Sequence, residues 1–371
     1  MPALSRTDNS LVGRWWWTVD KWTLLAIFLL AATGMVLTMA ASPPVAVRLG
    51  LDPQHFIVRH ALLLPVAMFL MVVISTLSLK GVRLLALMVF IASLALMAMT
   101  VAIGDEVKGA SRWIYIGGFS LQPSEFIKPA FAVVAAWMLM PRPTDKEIPG
   151  AFICTVLYTL VVALLLAQPD VGQAGVVTAV WLAQWFLTGL SVVWIGASAL
   201  LGAAGVIGVY ISFPHVAMRF DRFIDPNAAG YQVERSLQAL MAGGMWGQGP
   251  GEGIVKASIP DAHADFILAV AAEEFGLIAT IAIVALFGFI VLRGFARLFH
   301  EHNAFVTVAG FGLLVQFGLQ ALINMGSTLN LIPTKGMTLP FMSYGGSSLL
   351  AMSIGMGMLL ALTRRRVGAE E

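Results

Sequence analysis

The amino-acid sequence predicts an all-α polytopic membrane protein with about ten transmembrane helices. Of its 371 residues, 59% are hydrophobic and only 11% are charged, whereas soluble domains carry about 25% charged residues. Apolar runs long enough to cross a bilayer recur along the whole chain. A transmembrane β-barrel would instead show short segments of alternating hydrophobicity, which this sequence lacks.

Ten helix-length apolar runs mark the expected spans. In chain order they cover residues 22–40, 56–77, 82–103, 123–141, 151–168, 171–188, 190–213, 265–292, 303–327 and 343–363. The fifth and sixth are separated only by Gln168-Pro169-Asp170, which is typical of a tight turn. We therefore expect a cytoplasmic tail over residues 1–21, one transmembrane domain over 22–363 and a second cytoplasmic tail over 364–371.

The basic residues predict the orientation, because short cytoplasmic loops are enriched in Lys and Arg. Twelve fall on one side of the spans: Arg6, Arg14, Lys21, Lys80, Arg83, Arg142, Lys146, Arg293, Arg297 and Arg364–Arg366. Four fall in short loops on the other side: Arg48, Lys108, Arg112 and Lys335. Both termini are expected inside the cell, and the large loop 214–264, between spans seven and eight, outside it. Within that loop, Leu237, Leu240 and Met241 have the spacing of an amphipathic surface helix.

A segment rich in acids closes the large loop and enters the eighth span. Asp261, His263 and Asp265 stand before the apolar run, and Glu273 and Glu274 follow about 12–13 Å deeper along a helix that rises about 1.5 Å per residue. Acids at that depth are costly unless they are paired or face a wet cavity, so we expect them to be functional. For Asp265 the alternative interpretation is a helix N-cap, worth about 1 kcal/mol.

Further polar groups are expected at the same membrane face. Lys108 and Arg112, in the first outer loop, are either interfacial anchors or ligands of an anion. Glu125 and Lys128 lie three residues apart on one helix face and can neutralise each other. Asp170, at the tip of the hairpin, is either an ordinary turn residue or part of the site.

The stretch 332–348 combines prolines and glycines that forbid a continuous helix with a composition too apolar for an ordinary loop. Irregular backbone at membrane depth lines a cavity or is buried in protein. Ser343, Ser347 and Ser348 are candidates to cap the tenth span or to bind phosphate oxygens at its N-terminus.

Acids surrounded by cations suit one chemical task, the activation of a hydroxyl group beside a diphosphate leaving group. A divalent cation held between a carboxylate and phosphate would do similar work. The glycine spacings of nucleotide-binding loops are absent, so neither nucleotide nor nucleic acid is an expected ligand.

Six stretches, in order, resemble the signature blocks of the SEDS family (shape, elongation, division and sporulation). They are Lys108–Trp113, Gln122–Glu125, Gln168–Gly172, Tyr231-Gln232 with Ser236-Leu237, Pro260–Gly276 and Pro333–Ser348. Within the family, Leu331–Phe341 is similar to the cell-division branch rather than the elongation branch. The chain departs from the family pattern at Asp261, Ala264, Gln173 and Arg235, where Glu, Thr, Thr and Gln are usual.

The resemblance implies a ten-span peptidoglycan glycosyltransferase of the bacterial inner membrane that polymerises lipid II on the outer face at the division septum. It also implies a class B penicillin-binding transpeptidase and other division membrane proteins as partners. Asp265, within His263-Ala264-Asp265-Phe266, inherits the catalytic role, either as a base or as the ligand of Mg²⁺ or Mn²⁺. The expected substrate-binding residues are Lys108, Arg112, Lys335, Ser343, Glu125, Asp170, Glu273, His263 and Lys256.

Two rival functions remain open at this point. Buried acids and broken helices also suit a flippase or transporter of a lipid-linked precursor. Alternating access, however, places polar groups near the membrane midplane, whereas here they cluster toward one face. The third possibility is a non-catalytic division scaffold that recruits the transpeptidase.

Overall fold

The structure is a computed structural model that describes residues 10–103, 112–116, 119–140, 150–189, 231–334 and 336–365, with single positions between 205 and 217. The expected span 190–213, apart from some of those positions, lies outside this part of the chain. So do Lys108, Lys335 and most of residues 214–230.

The described residues form a helical protein. Its helices are α1 (Leu11–Thr18), α2 (Lys21–Arg48), α3 (His55–Ser75), α4 (Leu79–Ile103), α5 (Pro123–Leu139), α6 (Gly150–Ala167), α7 (Val171–Leu187), α8 (Tyr231–Gly243), α9 (Ile267–Leu298), α10 (Ala304–Thr328) and α11 (Gly346–Leu362). Within the described ranges, six helices are long and apolar enough to cross a membrane, namely α2, α3, α4, α6, α9 and α10. The helical multi-pass architecture is therefore confirmed, whereas the count of ten spans and their orientation stay predictions.

A small hairpin departs from the all-α expectation. Strand β1 (Ile114–Ile116) pairs antiparallel with β2 (Phe119–Leu121), with Tyr115 opposite Ser120. β2 leads through Gln122 directly into α5, whose first position is Pro123, a residue preorganised for the first helical turn. The hairpin thus sets where α5 begins.

The expected end of the first span at residue 40 was too early, because α2 continues to Arg48 through Pro43 and Pro44. Proline inside a helix removes a backbone donor and clashes with the preceding turn. This end of α2 is nevertheless packed, since Ala41, Ser42 and Val45 are buried. Tertiary packing therefore outweighs the local preference.

Helix α9 changes character at Gly276, which has φ 80° and ψ −179° inside the helix. Residues 267–274 are all buried, whereas residues 277–298 bury one stripe and expose the remaining face. Such a stripe is typical of a helix that packs on protein along one side and faces lipid on the other. The eighth span was expected to be one continuous helix over 265–292; it is a buried half-helix followed by one with an exposed apolar face.

The centre of the bundle is formed by α5, α10 and α11. α11 packs against α3 and α5, and α10 packs against α5, α7 and α9. Phe317 of α10 lies between Phe287 of α9 and Phe341, with ring centroids 5.6 and 6.4 Å away. These contacts hold together the helix ends that carry the candidate site.

The opposite end of the bundle brings together the first and last described segments of the chain and the end of α9. Asp20 caps α2 and accepts hydrogen bonds from Arg293 at 2.8 Å, while Arg297 lies 2.9 Å away. The amide of Arg365 donates to the carbonyl of Thr18 at 3.1 Å. Burial raises the pKa of Asp20, but the hydrogen bonds from Arg293 and Arg297 outweigh it and lower that pKa to about 2.

Candidate functional site

Asp265 lies just before α9, and it does not cap the helix. The N-cap is Phe266, whose side chain makes no capping hydrogen bond, so the interpretation of Asp265 as the N-cap residue is wrong. The Asp265 carbonyl accepts a hydrogen bond from Nδ2 of Asn324 at 2.8 Å, and the same amide group donates to the carbonyl of Met337 at 2.7 Å. Asn324 therefore ties the segment of Asp265 to the irregular stretch that follows α10.

The carboxylate of Asp265 faces that irregular stretch. A methyl group built on Gly336 would lie 3.5 Å from Oδ2 of Asp265, and Gly336 has φ +63°, which favours glycine. Asp265 itself is half-buried. The glycine lets the backbone pass close to the acid without a side chain filling the space between them.

The stretch between α10 and α11 is non-helical, as expected from its prolines and glycines. The hydroxyl of Ser343 accepts a hydrogen bond from the amide of Leu339 at 2.9 Å and so closes a turn in which Phe341 has φ +62°. The expectation that serines cap α11 is wrong, since its N-cap is Gly345 without a side-chain cap. Ser347 and Ser348 instead bond to neighbouring elements.

Glu125 and Lys128 form the expected ion pair, with Lys128 Nζ 2.9 Å from Glu125 Oε2, and both residues are buried. Lys128 also donates to Oε1 of Gln320 at 2.9 Å, and Glu125 accepts from Gln173. Gln320 in turn donates to the Thr338 carbonyl at 3.2 Å. A continuous polar network thus runs from α5 and α7 through α10 to the irregular stretch.

Arg112 and Asp170 meet at the hairpin between α6 and α7. Arg112 donates to the carbonyls of Gln168 (2.9 Å) and Pro169, and its Nη1 lies 3.9 Å from Asp170 Oδ1. Asp170 caps α7 and also accepts from Gln122 Nε2 at 3.4 Å. Burial raises the pKa of Asp170, although Arg112 opposes this.

Glu273 and Glu274 bind a loop of the protein itself. Glu273 accepts hydrogen bonds from the amides of Val255 at 2.6 Å and Lys256 at 2.7 Å. Glu274 accepts from the amide of Gly251 at 2.8 Å and pairs with the ammonium group of Lys256. Lys256 was expected to bind substrate, but the structure buries it and gives it Glu274 as its partner.

His263 is buried in an aromatic cluster. Its ring stacks on Phe56 at 4.4 Å and lies 5.2 Å from Tyr344, whose amide donates to the His263 carbonyl at 2.9 Å. Burial lowers the pKa of His263 to about 4 although Asp261 opposes this, so the ring is neutral at pH 7. The cluster joins the start of α3 to the segment of Asp265.

Three polar residues of α10 were missed by the sequence interpretation. Gln316, Gln320 and Asn324 are buried and follow one another at intervals of four, which places them on one face of the helix. Amides at this spacing inside an apolar span are themselves a signal, because they need partners where water is scarce.

The divalent cation stays a prediction. In the described ranges no group of three or more His, Cys, Asp and Glu side chains is placed to hold a metal ion. Asp265 would therefore supply one carboxylate, and substrate phosphate and water the other ligands.

Known proteins resemble this chain along nearly its whole length. The cell cycle protein family FtsW/RodA/SpoVE matches residues 21–367. A probable peptidoglycan glycosyltransferase FtsW of Caulobacter vibrioides is 45% identical over 99% of this chain and 95% of its own, and another FtsW, of Alkalilimnicola ehrlichii, is 37% identical over 96% and 92%.

Solved structures share the fold. A chain from a peptidoglycan synthase complex that coordinates polymerization and crosslinking is 30% identical, with a TM-score of 0.75, over 93% of this chain and 97% of that one. The rod shape determining protein RodA of Thermus thermophilus is 26% identical, with a TM-score of 0.67, over 94% and 97%.

Proposed function

The chain belongs to the FtsW/RodA/SpoVE family of cell cycle proteins, and from that membership we propose how its residues perform the reaction. It is a multi-pass membrane protein and a peptidoglycan glycosyltransferase of cell division. The substrate, the catalytic residue and the side of the membrane are the parts that we propose.

We propose that the protein polymerises lipid II at the outer face of the bacterial inner membrane. In each step the hydroxyl oxygen of one lipid-linked disaccharide bonds to the anomeric carbon of another. The bond from that carbon to the lipid diphosphate breaks, and the carbon is inverted. The hydroxyl proton passes to Asp265, which acts as the general base.

The observation that carries this proposal is the position of Asp265. It lies in the irregular segment before α9 and faces the irregular stretch between α10 and α11. Asn324 holds the Asp265 carbonyl and the Met337 carbonyl together, and Gly336 leaves room beside the carboxylate. A base needs a fixed backbone and an accessible carboxylate, and this arrangement supports both.

Cations at the same end of the bundle would offset the negative charge that develops on the leaving diphosphate. Arg112 lies there, and Lys335 and Lys108 are the further candidates from the sequence. Lys256 forms an ion pair with Glu274, so we assign it to holding the loop against α9. Glu125, Asp170, His263 and Ser343 would shape the site through the contacts described above rather than touch the reacting atoms.

A partner and a place in the cell complete the proposal. The likeness to a chain of a complex that coordinates polymerization with crosslinking supports a penicillin-binding transpeptidase of class B as the partner. Other division proteins at the septum would join it. Mg²⁺ or Mn²⁺ would help to neutralise the diphosphate if Asp265 holds it, and we route no step through the ion.

The test is the purified protein, supplied with labelled lipid II, with glycan chains resolved on a gel. Asp265→Asn keeps the shape of the side chain but cannot accept the proton, so polymerisation should slow at least about 100-fold, the scale of a lost general base. Asp261→Asn is the matched control, because Asp261 has φ +53° and Asn tolerates that conformation well; it should stay close to the wild type.

The outcome separates this function from its rivals. Near-normal glycan synthesis by Asp265→Asn would remove the assignment and make Asp170 the next acid to test. If the wild type moves lipid II across the bilayer but makes no glycan, the protein is a flippase.

A further inference from the structure

The turn after α8 exposes two large apolar side chains, and Ile254 further along the same loop is exposed as well. Met245 is 55% and Trp246 is 81% exposed. The helix itself buries Val233, Ser236, Ala239 and Gly243. On the face of Leu237, Leu240 and Met241, which the sequence predicts to be amphipathic, Leu240 packs on the core and Met241 is exposed. Most residues on the buried face of α8 are small because the helix packs closely against the first half of α9.

This turn is bonded to α9 at the point where the helix breaks. The amide of Leu277 donates to the carbonyl of Gly244 at 2.9 Å, and the amide of Ile278 donates to the carbonyl of Met245 at 3.4 Å. A methyl group would not fit between these two backbone segments, since one built on Gly276 would lie 2.4 Å from the Gly247 nitrogen. The turn and the break therefore form one rigid unit.

The lipid-facing surface of α9 begins at the same level. Leu277, Ile278 and Ile281 are exposed, whereas residues 267–274 are all buried. Residues 277–298 rise about 33 Å along a helix, close to the roughly 30 Å hydrocarbon core of a bilayer. The membrane boundary on the Asp265 side therefore falls near Gly276, level with the exposed turn.

Tryptophan is enriched at membrane boundaries, because its large ring is apolar while its indole N–H can reach water. Between Gly244 and Ala257 the charged residues are Glu252 and Lys256, and Lys256 is buried against Glu274. The exposed Arg48 of α2 donates to the Ala257 carbonyl at the far end of the loop, but the turn itself, residues 244–247, carries no charged side chain. Its contact with lipid would be apolar and indifferent to headgroup charge.

We propose that Met245 and Trp246 insert into the leaflet on the Asp265 side and set the depth of the half-helix that Asp265 precedes. The loop that carries them is tied to this half-helix by further bonds. The Gln248 amide donates to the Glu273 carbonyl at 2.8 Å, and the Glu273 carboxylate holds the amides of Val255 and Lys256. The buried acids Glu273 and Glu274 thereby tie the loop to the half-helix, so that the depth of the anchor in the membrane fixes the depth of Asp265.

The first experiment measures depth directly and does not depend on glycosyl transfer. A nitroxide label is placed at Met245→Cys in a Cys154→Ala background, and the protein is reconstituted in vesicles of neutral phosphatidylcholine. Collisions with oxygen, which concentrates in lipid, should exceed those with a water-soluble nickel chelate. The matched label at Glu252→Cys, an exposed position of the same loop, should show the reverse.

Two results would overturn the anchor. A label at 245 that meets the nickel chelate as often as the label at 252 would place the turn in water. A label shielded from both reagents would mean that protein, a second copy of the chain or a neighbouring segment, covers it.

The second experiment tests whether the anchor sets the depth. A label at Ala257→Cys reports on the loop in three versions of the chain: wild type at 246, Trp246→Phe and Trp246→Ser. The Ser variant should shift the label toward the aqueous reagent, and the Phe variant should not. If the label at 257 meets both reagents equally often in wild type and in Trp246→Ser, the loop keeps its depth without Trp246. That result would overturn this part of the proposal.

Discussion

Individual buried acids in this protein are engaged by amides and cations, and their partners indicate what they do. Glu273 accepts two backbone amides, Glu274 pairs with Lys256, and Glu125 pairs with Lys128. Carboxylate oxygens that already accept hydrogen bonds from the protein's own donors are not available to take a proton from a substrate hydroxyl. We therefore assign these three acids to holding the fold, whereas the resemblance placed Glu125 and Glu273 among the expected substrate-binding residues.

Asp20 provides a measurable case of such an acid. Its pKa falls from 3.8 to about 2 because Arg293 and Arg297 outweigh the effect of burial. At about 1.36 kcal/mol per unit this stabilises the protein by roughly 2 kcal/mol at pH 7. Asp20→Asn keeps an oxygen to cap α2 but loses the charge, so its thermal midpoint in detergent should fall by a few degrees.

The pH dependence of this stabilisation has a definite sign. The contribution of a carboxyl group with a lowered pKa is complete above 3.8 and is lost as the pH falls toward 2. The gap between wild type and Asp20→Asn should therefore shrink between pH 4 and pH 2. Asp52→Asn is the control, because Asp52 is exposed; its midpoint should stay near wild type, and an equal loss there would show that the Asp20 pairs are not the cause.

Single elements show where sequence reasoning succeeded and where it could not. Outside the range 190–213, a helix lies at each expected apolar run, because hydropathy alone defines a span. The break at Gly276 was missed, since a lone glycine in an apolar helix is usually tolerated at about 1 kcal/mol. The break depends on Gly244 and Gly247, which approach α9 from more than twenty residues earlier, and no local pattern contains that contact.

Gly276 gives the prediction that belongs to this element. In Gly276→Ala the new methyl group would lie 2.4 Å from the Gly247 nitrogen at a residue with φ +80°. Strain and the lost contact should cost several kcal/mol, more than the roughly 1–3 kcal/mol of the backbone conformation alone. The variant should be recovered in low yield, with a strongly reduced thermal midpoint in detergent.

Gly288→Ala in the same helix is the matched control. A methyl group there meets nothing within 4 Å, and alanine is the better helix former by about 1 kcal/mol. Its thermal midpoint should equal or exceed that of wild type. Equal behaviour of the two variants would show that α9 can run straight through Gly276, and the membrane boundary inferred there would no longer hold.

At the scale of the whole molecule, the sequence pointed to the acids of the candidate site but not to the residues that support them. The resemblance pointed to Asp265, and acids and cations at one face pointed to diphosphate chemistry. Asn324 of α10 bonds to the Asp265 carbonyl, Gln320 of α10 bonds to the Thr338 carbonyl, and Phe56 of α3 stacks on His263. Only the packing of the bundle brings these helices to the candidate site. A sequence without contacts cannot assign such partners.

The orientation of the bundle is the remaining prediction at this scale. The structure gathers the first and last described segments, the end of α3 and the end of α9 on one side. The bonds that do so are those of Arg365 to Thr18, Trp15 to Ser75 and Arg293 to Asp20. The described members of the basic set counted above lie on or next to helix ends of that side, namely Arg14, Lys21, Lys80, Arg83, Arg293, Arg297, Arg364 and Arg365, so it should face the cytoplasm. Gln248, on the opposite side with Asp265, should then face outward.

A thiol placed at each side tests this orientation, because the only native cysteine, Cys154, is buried and can be replaced by Ala. In intact cells, Gln248→Cys should react with a membrane-impermeant maleimide. His300→Cys, exposed beyond the end of α9, should react only after the membrane is permeabilised. Because the bundle is one packed body, the two positions must give opposite results. The reversed pattern would place Asp265 in the cytoplasm, where a glycan strand could not join the cell wall, and would overturn the proposed function together with the topology.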